Sequence, residues 1–74
     1  MAEKKKREPF LVYITSDCLN LRTGPSKSFK VLEIIRDHGT YTVTKIAKGT
    51  GSESGWAYLS DKDGWVSLDY CERV

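Results

Sequence analysis

From Phe10 onward the apolar residues come in short bursts separated by polar and glycine-containing breaks. No segment carries apolar residues at helical spacing over a useful length. The recurring period is two, at which side chains alternate across a strand. Residues 10–15 are aromatic and β-branched and predict a strand, interrupted by Ser16-Asp17. Residues 19–22 continue as a short strand with Leu19 and Leu21 on one face. Thr23-Gly24-Pro25-Ser26 reads as a turn, because Gly opens unusual φ values and Pro fixes its own. Residues 27–30 carry the chain back, with Phe29 as the expected anchor of the loop.

Residues 31–36 predict a strand apolar enough to be buried on both sides, and Asp37-His38-Gly39 a tight turn. In residues 40–46, Tyr41 and Val43 face one way and Thr42 and Thr44 the other, as in a half-buried antiparallel strand. Residues 48–55 hold three glycines and two serines and predict a flexible hairpin loop. In residues 56–60, Ala57 and Leu59 point inward, which turns Trp56 and Tyr58 outward. Asp61-Lys62-Asp63-Gly64 is a hairpin turn with Asp-Gly as its strongest signal. Residues 65–68 form another strand, then one helical turn leads into a last short strand. Five to seven short antiparallel strands with turns roughly every 8–12 residues predict an all-β barrel or sandwich.

A chain of 74 residues is one small domain. With 39% hydrophobic residues it supports a compact but thin core, and it leaves no room for a separate catalytic domain. The net charge of +2 does not argue for nucleic acid. The positive charge concentrates in Lys4-Lys5-Lys6-Arg7. Residues 1–9 therefore read as a disordered basic linker or tail, and residues 10–74 as the domain. No apolar run resembles a signal-peptide core or is long enough to span a bilayer. No membrane association is expected, and an export signal would lie elsewhere in a longer protein.

Catalytic chemistry is not expected. His38 lies in a turn, and pairing it with Cys18 or Cys71 as a nucleophile would demand a pocket, an orienting group and an oxyanion site. Two cysteines and one histidine fall short of the four ligands of a structural zinc site. Asp61 and Asp63 lack the glycine and glutamate spacing of a calcium loop. The glycines of residues 48–55 do not lead from a strand into a helix, so no phosphate loop is indicated. Neither metal nor cofactor is expected.

Binding chemistry is better represented, in Tyr13, Tyr41, Trp56, Tyr58, Trp65 and Tyr70. Tyr41 shares its face with Val43 and belongs to the core or its rim. Trp65 is turned out if its neighbour Val66 is buried, and Tyr70 likewise beside Cys71. Large amphipathic rings gathered on an outer surface mark a binding site, and a groove of them suits extended peptides and sugars.

Two segments narrow the reading. Leu19-Asn20-Leu21-Arg22-Thr23-Gly24-Pro25-Ser26 and Gly64-Trp65-Val66-Ser67-Leu68-Asp69-Tyr70 together resemble the signature segments of the bacterial Src-homology-3-like domain. Gly39-Thr40-Tyr41-Thr42-Val43, the Gly/Ser loop, Trp56 and the run through Cys71 are similar to the C-terminal domain of clostridial and phage-type N-acetylmuramoyl-L-alanine amidases. The resemblance covers most of the chain. It implies a small Src-homology-3-like β-barrel, monomeric and non-catalytic, that binds peptidoglycan at the cell wall, outside the cell. It also implies a covalently linked hydrolase domain that the module targets. The expected binding site joins the outward-turned rings Trp56, Tyr58, Trp65 and Tyr70 to Asn20 and Arg22, which the resemblance sets beside the groove. Asn20 would bond peptide amides or simply stabilise the turn. Arg22 would meet a stem-peptide carboxylate or form a surface ion pair. The resemblance also sets Cys71 at a core aliphatic position, whereas Cys18 turns outward beside Leu19. Thiols on opposite faces miss disulfide geometry, so both are expected to be free. The alternative is an intracellular protein-interaction module that binds an extended peptide.

Overall fold

A computed structural model describes residues 9–74. The expectation of a disordered linker over residues 1–9 lies, except for Pro9, outside the described residues. Seven strands follow in order: β1 (Phe10–Ile14), β2 (Leu19–Arg22), β3 (Val31–Ile35), β4 (Thr40–Ala47), β5 (Trp56–Leu59), β6 (Gly64–Ser67) and β7 (Cys71–Arg73). A 3-10 turn, Leu68–Tyr70, links the last two. The strands form one antiparallel sheet in the order β3-β2-β6-β5-β4-β1-β7. The chain is all-β, as its two-residue period requires. Among the described residues the sheet is not closed into a complete barrel: β3 and β7 are its edges.

The sheet curls around its own concave face. Ile35 on β3 and Ile14 on β1 lie far apart in strand order, yet they share one core cluster with Leu19, Leu21, Val43 and Leu59. Ala57, Leu59 and Val66 are fully buried, as the alternation of β5 and β6 predicts. A bulge between Val43 and Lys45 resets the phase of β4. Lys45 then pairs with Tyr58, and Ile46 with inward-facing Ala57. Lys62 Nζ donates to Glu33 Oε2 at 3.0 Å, tying the β5–β6 turn to edge strand β3.

One local expectation is corrected. The apolar run in β3 is not buried on both sides: Ile35 alone is buried in that strand, and Leu32 is 49% exposed. The cause is position, since β3 has a single neighbour, β2, and only its last residue reaches the core. The Asp61-Lys62-Asp63-Gly64 turn joins β5 to β6 as a hairpin, as expected, with Asp63 in the left-handed conformation at φ 55°. The Asp63 amide donates to the Leu59 carbonyl at 2.8 Å. Gly64 is needed for space, because a Cβ there would lie 2.7 Å from Leu21 Cγ.

Candidate functional site

The outer face of the sheet is organised by cross-strand register, since directly opposed residues share a face. Arg22 on β2 opposes Trp65 on β6, Trp65 opposes Tyr58 on β5, and Tyr58 opposes Lys45 on β4. This row crosses four strands. The Tyr58 and Trp65 rings meet edge to face with centroids 5.4 Å apart, and Lys45 Nζ lies 5.2 Å from the Tyr58 centroid. The Tyr58 hydroxyl donates to Asp63 Oδ1. A second row pairs Ser67 with Trp56 and Trp56 with Ala47.

Beside these rows lies an open groove of about 480 Å³. Asn20 and Arg22 form its β2 wall, Trp56 and Ser67 its floor, and Tyr70 on the 3-10 turn contributes to its lining. Ser16 and Cys18 of the β1–β2 turn line it too, as do Lys27 and Gly51 from two facing loops. Of the residues expected in a binding site, Asn20, Arg22, Trp56 and Tyr70 therefore surround one space. Tyr58 and Trp65 do not line it. They continue the same face as half-buried rings, Trp65 opposite Arg22 and Tyr58 beyond it.

Trp56 departs from the expected outward exposure, being only 3% exposed. Its indole N–H donates to Thr50 O at 3.1 Å. It does lie on the outer face, but residues 48–55 fold over it. That segment was expected to be a flexible loop and is instead bonded at several points. Asp69 accepts from the amides of Glu53 at 3.0 Å and Ser54 at 2.9 Å. Ser67 Oγ donates to Ser52 Oγ at 2.8 Å. The Lys27 amide donates to Thr50 O at 3.0 Å. Gly49 passes so close to Pro25 that a Cβ would run into its carbonyl. The backbone amides of Ser54 and Glu53 hold the Asp69 carboxyl below its ordinary 3.8. Asp69 was not singled out from sequence: a single carboxylate beside a tyrosine carries no pattern until the distant loop amides appear around it.

Arg22 departs from the surface ion pair that was the structural alternative for it. Its Nη1 donates to Lys27 O and Phe29 O, each at 2.9 Å, so it clamps the β2–β3 loop rather than forming a surface ion pair. Its remaining N–H groups have no hydrogen-bond partner among the described residues. Asn20 is exposed, with no side-chain hydrogen bond among those residues. Phe29 packs its ring over Gly24 across the β2–β3 loop while staying exposed.

The rim residue Tyr41 behaves as expected, donating to Asp37 Oδ1 at 2.9 Å from partial burial. Both thiols are free, Cys18 exposed and Cys71 partly rather than fully buried. Burial pushes the Cys71 thiol up to about 11. Among the described residues no cluster of three His, Cys, Asp or Glu side chains is placed to hold a metal ion, and no helix is long and apolar enough to cross a membrane. No protein-family model matches the chain, and neither curated proteins nor solved structures yield a significant match.

Proposed function

We propose that this chain is a non-catalytic binding module of the bacterial Src-homology-3-like kind, which holds an attached lytic enzyme on peptidoglycan. One observation supports this reading above the rest: Asn20, Arg22, Trp56 and Tyr70, drawn from β2, β5 and the 3-10 turn, line a single open groove. An exposed amide beside arginine and lysine donors suits the carbonyls and carboxylates of an extended peptide. The half-exposed Tyr70 ring offers an apolar face with a hydroxyl edge, suited to a peptide or sugar. Trp56, held under its loop, acts as a rigid floor rather than as a free stacking ring.

The mechanism is tethering. Weak binding to a repeating polymer raises the effective concentration of a linked hydrolase at its substrate. Such a role sets the module outside the cell and makes a covalently joined amidase or muramidase domain its partner. Sedimentation with purified sacculi tests the reading. The intact chain is expected in the pellet, and Arg22→Lys should keep the charge while weakening wall binding through loss of the planar fork. If the folded chain stays in the supernatant with walls from several Gram-positive sources, the reading fails and the protein-interaction alternative takes its place.

A further inference from the structure

The β3–β4 turn reaches across to the β1–β2 turn through two side chains. His38 Nδ1 lies 2.8 Å from the Ile14 carbonyl oxygen, and Nε2 lies 3.2 Å from Asp17 Oδ1. Arg36 Nη1 donates to Cys18 Sγ at 3.4 Å. The segment held in this way is also a wall of the groove, since Ser16 and Cys18, which flank Asp17, both line it.

The partners of His38 dictate its charge. A main-chain carbonyl oxygen and a carboxylate oxygen can only accept hydrogen bonds. A neutral imidazole carries one N–H and one lone pair. Either neutral tautomer would therefore set a lone pair against one of these acceptors, and only the imidazolium donates to both. Neighbouring charge points the same way: Asp17 faces the ring from the β1–β2 turn and Asp37 precedes it in its own turn, while Arg36 opposes them. The Ile14 carbonyl first, and then Asp17, raise the His38 pKa above its ordinary 6.5, against a smaller opposing effect of partial burial.

We propose that His38 is a protonation latch: as a cation it ties the β1–β2 turn down and sets the Ser16–Cys18 wall of the groove, and as a neutral ring it releases Asp17 and lets that wall relax. Because the folded-state pKa is the higher one, the latch is fully engaged below the ordinary 6.5 and is lost as pH rises through the folded value. Ligand binding should then weaken from mildly acidic to mildly alkaline pH. That consequence rests on the wall-binding reading, whereas the latch itself does not.

The test is ¹⁵N NMR of the intact chain without ligand, titrated from about pH 5.5 to about pH 8.5, the range in which histidine switches charge. His38 should titrate with a midpoint above 6.5, and the Ser16 and Cys18 amides should follow the same midpoint. Asp17→Asn, at an exposed side chain, should lower the midpoint, and His38→Gln should leave the two amides flat. A His38 midpoint at or below 6.5, or wall amides that ignore the His38 titration, overturns the latch. Sedimentation with sacculi across the same pH range reads the consequence separately: pelleting should fall at high pH in the parent and not in His38→Gln. If the latch titrates as stated but nothing pellets at any pH, the wall-binding reading falls and the latch stands.

Discussion

Truncating Tyr70 should separate binding from folding, because its main chain and its ring do different work. The Tyr70 carbonyl accepts the Thr15 amide at 2.9 Å and the Thr15 hydroxyl at 3.0 Å, which joins the end of β1 to the 3-10 turn. Both bonds survive Tyr70→Ala. The ring itself is half free, the residue being 49% exposed. A tyrosine offers about 150–250 Å². Roughly 100 Å² thus remains for a ligand, and at ~25 cal/mol per Å² complete cover contributes about 2.5 kcal/mol. A ligand seated on one side covers less, so the expected loss is ~1–2.5 kcal/mol, or about five- to seventy-fold in Kd. Titration calorimetry with soluble muropeptides measures the loss, and thermal unfolding checks the fold, with Tm expected to move by less than ~4 °C. An unchanged Kd in a folded variant would remove Tyr70 from the site. A large fall in Tm would show that the ring supports the core and would refute the division of labour argued above.

Trp56→Phe keeps most of the buried ring but abandons the Thr50 bond, so it should cost about 1 kcal/mol in denaturant unfolding, against about 3–5 kcal/mol for Trp56→Ala. Asp69→Ala should strip hydrogen-exchange protection from the Glu53 and Ser54 amides. In the parent that protection is complete above the ordinary carboxyl pKa of 3.8, because the folded value is lower, and it should fade only as pH falls through the folded value. Gly64→Ala should destabilise by about 1–3 kcal/mol as Leu21 is forced aside, read from the shift in unfolding midpoint. Thiol titration of the native protein should find Cys18 reacting quickly and Cys71, with a thiol pKa of about 11, slowly. A mass two hydrogens short would contradict the free thiols.

Strand alternation was legible wherever a strand packs on the core over a regular register. Leu19 and Leu21, Ala57 and Leu59, and Val66 are all inward, and their period of two states as much. The failures at β3 and at residues 48–55 share a cause, because each depends on a partner distant in sequence. An apolar run such as that of β3 looks alike at the centre of a sheet and at its edge, and only the strand order separates the two cases. Alternation placed Trp56 on the outer face correctly, but the covering of that face by residues 48–55 depends on Asp69 and Ser67. Composition marked those residues as flexible, because glycine and serine favour loops whether or not the loop finds partners. Arg22 was expected to look outward for a charge, and it found two loop carbonyls within its own hairpin.

The proposed function puts an extended wall fragment in the groove between β2 and the 3-10 turn. Chemical-shift mapping of the isotope-labelled intact chain with soluble muropeptides tests it most directly. The largest changes should fall on Asn20, the Arg22 side chain, the Trp56 indole N–H, Ser67 and Tyr70, with smaller ones at Trp65. A spectrum unmoved by any muropeptide, or changes confined to the exposed edge strand β3, would contradict it.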